Sequence, residues 1–402
     1  MNKKSFFRSA TLVLAGAAAA SCFASCSKKE KAPEFSADTI NIGASGPLTG
    51  GASIYGTAVY NGATMAILEI NEAGGLNGTK LAFEMYDDQH KTENVANGYA
   101  AMKDKGMQVS LGCVTSAPCL EYIKNAEKDG LFFLPPSASA DKVATYENAF
   151  QMCFADSNQG AAAAKLYNAN DKAEFGERNI GVLYKSDDDY STGIYETFMS
   201  GFSAEEQAAI KKASFTSDDG DSPDFSTHIS ALKGCDFIFM PIYYTPASQF
   251  IQKAKTTAAF SDSTIYFGCD GFDGIQSMKG FNVEDYPQEI SYLSHFNSNA
   301  TEGAAGEFVK KYKEKYGAET LNQFGASAYD SVYALYDAMK TASEAGKKID
   351  GSTSVSDMTA ALKGVFSSAR FSFNGVTGQN VQWNADGTVI KNAIRYKVNH
   401  NV

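Results

Sequence analysis

Short, near-continuous apolar runs recur along this chain and alternate with longer segments of helical spacing. Uninterrupted apolar runs of this length are typical of strands covered on both faces in a parallel sheet. Their alternation with helical segments predicts βαβ units and an α/β fold. The eight runs are Ile40–Ala44, Leu81–Tyr86, Gln108–Leu111, Leu131–Leu134, Asn179–Tyr184, Lys212–Phe215, Phe237–Pro241 and Thr264–Phe267.

The intervening segments carry apolar side chains at the spacing of an amphipathic helix. Between Val59 and Ile70 they form one stripe, which Gly74 and Gly75 end. Each such stripe predicts a helix that packs on the sheet. Three later stripes are Tyr190, Ile194, Phe198 and Phe202; Phe308, Val309, Tyr312 and Tyr316; and Val332, Leu335, Tyr336 and Met339.

The predicted strands form two sets of four, on either side of Asp156. Similar strand–helix spacing in the two sets predicts two similar α/β lobes. Helices after residue 300 have to return to a lobe that the chain has already begun. The tail alternates differently: Arg370–Phe373, Val381–Trp383 and Ala393–Val398 are predicted antiparallel strands, with a turn at Asn384–Gly387.

Residues 1–25 have the pattern of a secretory signal peptide. Lys3, Lys4 and Arg8 precede an apolar run from Ala10 to Ala20, and small residues follow it. The run is too short to cross a bilayer, which needs roughly 20 apolar residues. The pattern predicts an exported protein.

A cysteine directly after small residues resembles the processing site of bacterial lipoproteins, where that cysteine is lipidated and becomes the mature N-terminus. Cys26 and Cys22 both follow an Ala-Ser pair. We favour Cys26, because the polar segment 26–38 is suited to a flexible tether, although Phe23 stands where leucine is usual. A plain signal peptide with incidental cysteines is the alternative.

Composition and motifs disfavour several function classes. With 35 basic and 46 acidic residues the net charge is −11, which argues against a nucleic-acid partner. The sequence has no phosphate-binding loop ending in Gly-Lys-Ser/Thr, no His-Glu-x-x-His and no Gly-x-Ser-x-Gly. We therefore expect no enzyme, no cofactor and no metal site. The four histidines lack ligand spacing: His90, His228, His295 and His400.

Five cysteines follow the N-terminal pair. An odd number argues against a disulfide framework, so we expect mainly small core residues, although Cys113 and Cys119 are six apart and could be bridged in an exported protein. The five are Cys113, Cys119, Cys153, Cys235 and Cys269.

Two loops after strands of the first set carry small hydroxyl residues. Ligands of parallel α/β sheets bind outside the carboxyl ends of the strands. Pro118 suits the first turn of a helix, which would place Thr115 and Ser116 at a helix N-terminus, a setting that favours a carboxylate. The second loop, Pro135–Asp141, has the same character. The alternative interpretation is a pair of ordinary helix caps.

Three loops of the second set carry acids and tyrosines: Lys185–Ser191, Ile242–Pro246 and Gly268–Asp273. A carboxylate at Asp270 beside tyrosine rings suits an ammonium, by charge and by cation–π contact. The alternative is that Asp270 caps a turn and the tyrosines are core. Taken together, the loops of the two lobes predict a bipolar site with the chemistry of a free amino acid.

At these residues the chain resembles the solute-binding proteins of branched-chain amino acid ABC transporters, the Leu/Ile/Val-binding type with the type I periplasmic-binding-protein fold. The resemblance runs from about Thr39 to Val398, and the order and spacing of weak motifs carry it. The matching segments are Ile40–Gly50, Tyr55–Gly56, Glu69–Gly78, Tyr86–Gln89, Gly112–Ser116, Pro136–Ser139, Asp189–Tyr190, Tyr243–Tyr244, Asp270–Asp273 and Ala328–Asp330.

The resemblance implies how the two hydroxyl loops contact the ligand, the first of them through the ligand carboxylate. Ser116, with Thr115, matches a position that holds it. Ser137, Ala138 and Ser139 match a second binding loop, where the backbone of the first two and the hydroxyl of the third would bind. Ser137 stands where many members of the family have glycine or alanine. This difference leaves open which ligand side chain the site accepts.

The resemblance also implies the rest of the site. Tyr55 matches an aromatic at the cleft wall, and Tyr190 and Tyr243 match ring positions on the second lobe. Asp270 matches the acid that takes the ammonium, and Phe324 matches an apolar wall. Asp270 is one methylene shorter than the glutamate of the Leu/Ile/Val binders. This difference also leaves open which ligand side chain the site prefers.

The implied architecture is two doubly wound parallel-sheet lobes joined by three hinge crossings. The first lobe would comprise 38–155 plus 296–385, and the second 156–295 plus 386–402. The lobes would close on the ligand like a flytrap, and the closed protein would deliver it to an ABC permease and its ATPase subunits. Only a lipid anchor would hold the protein to a membrane.

Two other functions fit the same fold. One is a binder of another small polar solute, such as an amide or urea-like compound. The other is a ligand-sensing domain. An acid for an ammonium and a hydroxyl loop for a carboxylate together favour the amino acid.

Overall fold

The computed structural model describes residues 31–219 and 223–399. The predicted signal segment 1–25, both N-terminal cysteines (Cys22 and Cys26) and His400 lie outside the described residues, so the predicted lipid anchor stays a prediction. Within the described ranges, no helix is long and apolar enough to cross a membrane.

The first of two sheets contains β1 (Thr39–Gly46), β2 (Lys80–Asp87) and β3 (Val109–Cys113), in the order β2-β1-β3 and all parallel. Isolated bridges from Phe133 to Ser110 and to Ala149 extend its edge. All five residues of β3 and seven of the eight in β1 are buried. This burial explains the near-continuous apolar runs, since both faces of the sheet are covered.

The second sheet has six strands in the order β5-β4-β6-β7-β8-β9. Its first five are parallel, and β9 runs antiparallel to β8. The core strands β6 and β7 are entirely buried. The bounds are β4 Ile180–Lys185, β5 Lys211–Phe215, β6 Phe237–Met240, β7 Ile265–Gly268, β8 Glu289–Ser294 and β9 Ile394–Lys397.

Helices connect the strands and cover the sheets. The predicted apolar stripes lie on α1, α6, α10 and α11, although Phe202 lies beyond the end of α6. The described helices are α1 Ser53–Glu72, α2 Thr92–Asp104, α3 Ser116–Asp129, α4 Asp156–Leu166, α5 Lys172–Phe175, α6 Asp189–Ser200, α7 Ala204–Ala209, α8 Ser226–Ala231, α9 Tyr244–Thr257, α10 Gly303–Tyr316, α11 Gln323–Glu344 and α12 Val355–Phe366.

The late helices return to the first sheet. α11 packs along α1, where a Cβ on Gly62 would lie 2.0 Å from the carbonyl oxygen of Gly325, so the close approach requires glycine. α12 reaches the edge of the sheet, where Phe132 N–H donates to Thr359 Oγ1 at 3.0 Å. The chain therefore passes between the two sheets three times: before β4, after β8 and before β9.

Some predicted strands are shorter in the structure or absent. Leu131–Leu134 forms only the bridges at Phe133, because Pro135 and Pro136, which follow, have no N–H to donate to a ladder. The predicted tail strands are likewise reduced to isolated antiparallel bridges: Arg370–Phe373 makes one, at Phe373, and Val381–Trp383 makes two, at Val381 and Trp383.

Two further differences lie in the second sheet. Sequence reasoning missed β8, whose alternating Glu289, Ser291 and apolar residues do not form a continuous apolar run. The prediction of four strands per lobe was therefore wrong for this sheet. The predicted strand Ala393–Val398 is present as β9, and the predicted turn closes with Gly387 N–H donating to Asn384 O at 3.0 Å.

The five cysteines of the described chain are buried free thiols. Cys113 and Cys119 are close enough for their thiols to interact, and burial raises the pKa of the Cys113 thiol well above its ordinary value. Their place in the core matches the prediction of small core residues.

Candidate functional site

Nine of the ten predicted ligand residues line one cavity between the two sheets. Its volume is about 10 Å³, the space for the centre of roughly one water molecule. Ala138 is buried behind this wall, while Val114 and Gly271 complete it. The nine residues are Tyr55, Thr115, Ser116, Ser137, Ser139, Tyr190, Tyr243, Asp270 and Phe324.

The topology explains why residues so distant in sequence meet. Each follows the carboxyl end of a parallel strand or opens the helix after it, and these ends face one another in the two sheets. Tyr55 lies in the first turn of α1, the helix after β1. Phe324 is the exception, since it comes from the first turn of α11, which follows α10. Asn322 caps that helix by accepting from Phe324 N–H at 3.0 Å.

Hydroxyl groups and a helix N-terminus form the first wall. Thr115 is the N-cap residue of α3, as predicted, but its hydroxyl bonds His90 Nδ1 at 2.9 Å instead of capping the helix. Ser116 Oγ accepts from Ala140 N–H at 3.2 Å and so ties the two hydroxyl loops together. The first-turn N–H groups of a helix lack intrahelical acceptors and favour an anion.

Asp270 is the acid of the opposite wall. It is 1% exposed, and its Oδ1 accepts from Tyr190 Oη at 2.8 Å. Burial raises its pKa to about 7, although the Tyr190 hydroxyl, Gln159 and the Gly271 N–H oppose that rise. Its Oδ2 has no hydrogen-bond partner within the described residues. A buried carboxylate oxygen without a donor is suited to a cationic donor.

Aromatic rings enclose the cavity from both sides. Tyr190 and Tyr243 stack with centroids 4.8 Å apart and an interplanar angle of 11°. Tyr55 packs edge-on against Phe324 at 5.0 Å, against Tyr244 at 4.8 Å and against Tyr243 at 5.7 Å. The rings supply apolar area and π-faces next to the acid.

The two walls also contact each other directly. Tyr55 Oη donates to the Gly271 carbonyl and accepts from Tyr244 N–H at 3.3 Å. At the rim, Thr245 Oγ1 donates to the carbonyl of Gly51 at 2.6 Å. These hydrogen bonds join elements of the first sheet to elements of the second, so the structure has the lobes closed.

Sequence reasoning missed two side chains of this region. His90 lies beside Thr115 and packs edge-on against Tyr243 at 5.3 Å. Burial lowers its pKa to about 4, and Lys185 acts in the same direction, so His90 is neutral near pH 7. Its position after β2 was the available signal. Tyr244 is the second missed side chain, and its position next to the predicted site residue Tyr243 could have revealed it. Among the described residues no group of three potential metal ligands occurs.

A family model described as periplasmic binding protein matches residues 39–401. The chain belongs to this family. The resemblance inferred from the sequence motifs is thereby confirmed.

Relatives of known function agree with this assignment. A leucine-, isoleucine-, valine-, threonine- and alanine-binding protein of Pseudomonas aeruginosa is 30% identical over 223 residues, 54% of this chain. The match covers 58% of that relative, a little more than half of its length.

Solved structures of the periplasmic binding proteins cover the chain more fully. A leucine-binding protein of Thermotoga maritima is 25% identical, with a TM-score of 0.74 over 90% of this chain and 96% of that chain. A branched-chain amino acid transporter substrate-binding protein of Streptococcus pneumoniae, in complex with isoleucine, is 26% identical, with a TM-score of 0.72 over 89% and 95%. The fold is the type I periplasmic-binding-protein fold, with two doubly wound parallel-sheet lobes and three crossings.

Proposed function

We propose that this chain is the extracytoplasmic solute-binding protein of an ABC importer and that it binds a free amino acid between its lobes. The observation that carries the proposal is the bipolar cavity. An unpartnered, buried carboxylate oxygen of Asp270 faces a wall of hydroxyl groups at the N-terminus of α3. Few small solutes other than an amino acid carry both complementary charges.

The carboxylate end would be held by the first lobe. Ser116 lies in the first turn of α3, where N–H groups and the positive end of the helix dipole favour an anion. Ser137, Ala138 and Ser139 approach from the next loop, and Gln151 Nε2 holds the carbonyl of Ala138 at 3.0 Å. This anchoring fixes the loop before a ligand arrives, which lowers the entropy that binding would otherwise lose.

The ammonium end would be held by the second lobe. Asp270 Oδ2 accepts one N–H, and the faces of Tyr190 and Tyr243 lie beside it. A positive ligand favours the ionised form of the acid, so binding lowers the pKa of Asp270 from about 7. Affinity should therefore fall when the pH drops below 7.

The apolar wall supports a branched-chain side chain. Tyr55, Phe324 and Val114 are each 3% exposed or less and line the cavity. Apolar contact of this kind rewards each buried methylene with about 0.8 kcal/mol. Asp270, shorter than glutamate, leaves more room at the ammonium end.

Closure would couple binding to transport. A cavity of about 10 Å³ in the closed arrangement does not hold a leucine-sized molecule, so the lobes have to part and then re-form the site around the ligand. The ligand stabilises the closed form only by its extra affinity for that form. We infer lobe boundaries at 38–155 plus 296–385 and at 156–295 plus 386–402. An ABC permease with its ATPase subunits would receive the closed protein, held at the membrane by a lipid on Cys26 or Cys22.

A thermal-shift panel tests this function. The purified protein is melted with each of the twenty amino acids and with amides and urea. We expect Leu, Ile or Val to raise the melting temperature, because a ligand at 100 times its Kd adds about 2.7 kcal/mol to the unfolding free energy. A shift with an amide and with none of the amino acids would contradict the proposal.

A further inference from the structure

The loop after β2 holds two consecutive non-glycine residues in the left-handed region of backbone conformation. Gln89 has a φ of 57° and His90 a φ of 61°. Such residues are uncommon and keep this conformation only where their surroundings hold it. Two carboxylates do so here: Asp87 Oδ1 accepts from Gln89 N–H at 3.1 Å, and Asp88 Oδ1 accepts from His90 N–H at 2.9 Å. Strained backbone clusters at functional sites, so the position that this loop gives to the His90 side chain calls for an explanation.

The His90 imidazole lies at the seam between the two walls of the cavity. Its Nδ1 bonds Thr115 Oγ1 at 2.9 Å, on the side of the first sheet. Its ring packs edge-on against Tyr243, the N-cap residue of α9, with centroids 5.3 Å apart and an interplanar angle of 89°. Lys185, the last residue of β4, is close enough for its charge to act on the imidazole. His90 therefore belongs to the first sheet and is covered by residues of the second.

The groups that face His90 from the second sheet do not stabilise a positive charge. Lys185 opposes protonation of the imidazole. Tyr243 is neutral, because burial raises the pKa of its phenol well above the ordinary value. Asp188 lies near Tyr243, but its Oδ2 accepts from Ser191 N–H at 3.0 Å, where it caps α6.

The acids of the loop that carries His90 are engaged within the first lobe. Asp87 Oδ2 accepts from Thr49 Oγ1 at 2.6 Å, and Asp88 Oδ2 accepts from Ser45 Oγ at 2.8 Å. Among the described residues, no carboxylate is a group whose charge shifts the pKa of His90. A protonated His90 would therefore be buried beside a lysine without a counter-ion, which is costly.

The environment of His90 depends on lobe closure. Burial, with a smaller effect of Lys185, lowers the pKa of the imidazole from the ordinary 6.5 to about 4. Tyr243 and Lys185 are part of the second sheet, so they move away from His90 when the lobes part. The imidazole then becomes more exposed, and its pKa returns toward the ordinary value.

We propose that His90 is a positioning residue that makes lobe closure proton-linked, so that the lobes close around a ligand only with its imidazole neutral. This inference rests on the proposed function, because a ligand has to close the lobes, and it extends that function to the pH at which the solute is captured and released. In the tautomer with the proton on Nδ1, His90 donates to Thr115 Oγ1. The hydroxyl proton of Thr115 is then free for the ligand carboxylate, so His90 acts on the ligand through Thr115.

The direction of the pH effect follows from the two forms. At pH 8 the imidazole is neutral in both, and closure carries no proton penalty. Below pH 6.5 the open form holds a proton that the closed form has to release, so the affinity falls as the pH drops further. An imidazole that is fully exposed in the open form weakens binding about tenfold at pH 5.5, in addition to the loss caused by Asp270. Binding at this pH then releases about one proton from His90.

Calorimetry in two buffers of different ionisation enthalpy counts the protons released on binding at pH 5.5 and pH 8. The ligand is the compound with the largest shift in the thermal panel. Asparagine is the substitution of choice for His90, since it adopts left-handed backbone readily and its amide can donate to Thr115 but does not titrate. At pH 5.5, His90→Asn should release about one proton fewer than wild type. Its ratio of affinities at pH 8 and pH 5.5 should be about tenfold smaller.

A second histidine supplies the matched control. His228 bonds the carbonyl of Ser214 through Nε2 at 2.9 Å and packs against Phe215, both in the second sheet. His228→Asn should therefore release as many protons as wild type. A merely structural role of His90 would change the affinity equally at both pH values and leave the proton count unchanged.

A measurement on wild type keeps the inference falsifiable if His90→Asn does not fold. The imidazole C–H signals are titrated by NMR in the ligand-free and in the ligand-saturated protein. We expect the pKa of His90 to be near the ordinary 6.5 without ligand and about 4 with it.

Equal pKa values of His90 in the two states, or a wild-type proton count in His90→Asn, overturn the inference. If wild type binds a compound of the panel and either result is found, only this inference fails. If wild type binds none of them, the proposed function fails and this inference with it.

Discussion

Replacing Asp270 with asparagine separates the effect of this carboxylate on folding from its effect on ligand binding. The substitution keeps the shape and the oxygen that accepts from Tyr190 Oη at 2.8 Å. It removes the negative charge and replaces the second carboxylate oxygen with an amide NH2 group. The expected result is a ligand-free protein that is more stable and a site that no longer holds an ammonium.

The magnitude follows from the pKa. The carboxyl titrates at about 7 in the folded protein against 3.8 ordinarily, with burial as the main cause. The folded state therefore holds the proton more tightly, and the unfolding free energy falls as the pH rises from about 4 to 7. Above pH 7 the ionised group costs the folded state about 4 kcal/mol, and at pH 5 about 2 kcal/mol.

Differential scanning fluorimetry of the ligand-free proteins tests whether the substitution raises the unfolding free energy, as expected. A chain of this length has an unfolding entropy of about 0.8 kcal/mol/K. Asp270→Asn should therefore melt about 5 °C above wild type at pH 8 and about 2 °C above it at pH 5. In calorimetry at pH 8 the variant should lose at least 30-fold in amino-acid affinity, because a buried charge pair loses one partner.

The exposed Asp262→Asn is the matched control and should melt with wild type at both pH values. Equal melting temperatures for Asp270→Asn and wild type at pH 8 would refute the argument from burial. Retained affinity would show that the ammonium lies elsewhere.

Three further predictions concern other parts of the chain. Tyr55→Phe removes the hydroxyl that donates to the Gly271 carbonyl across the cleft, so calorimetry should show roughly 5- to 30-fold weaker binding; unchanged affinity would contradict the role of this contact in closure. Gly56→Ala would place a Cβ 1.9 Å from the Pro47 carbonyl oxygen and should lower the unfolding free energy in urea by roughly 2 kcal/mol or more, and wild-type stability would argue against this packing. Fatty-acid labelling of expressing cells should mark wild type but not Cys26→Ala, whereas a surviving label would assign the lipid to the other N-terminal cysteine.

The two-lobed fold could be predicted because parallel strands have a strong sequence signal. A strand buried on both faces is mostly apolar. β6 is entirely so, and β1 and β3 are interrupted only by a few polar residues such as Asn41 and Ser110, which are themselves buried. This sequence signal was misleading for two segments. β8 alternates polar and apolar residues, and Leu131–Leu134 is followed by two prolines that shorten its ladder.

The site was predictable where a motif follows a strand. Asp270 and Ser116 were found this way, and the structure brings both to one cavity. His90 was missed, because its proximity to the cavity depends on contacts between elements far apart in sequence. His90 bonds the Thr115 hydroxyl and packs edge-on against Tyr243. The position of His90 after β2 places it at the correct edge of the sheet, but spacing along the chain does not show which side chains it contacts.

The central claim is that both charged ends of an amino acid are recognised in the interlobe cavity. Calorimetry with L-leucine, 4-methylpentanoate and 3-methylbutylamine tests it most directly, because the two analogues keep the side chain and each lack one charged group. Leucine should bind at least 100-fold more tightly than either analogue. Comparable affinity for 4-methylpentanoate would contradict it, since Asp270 would then contribute nothing.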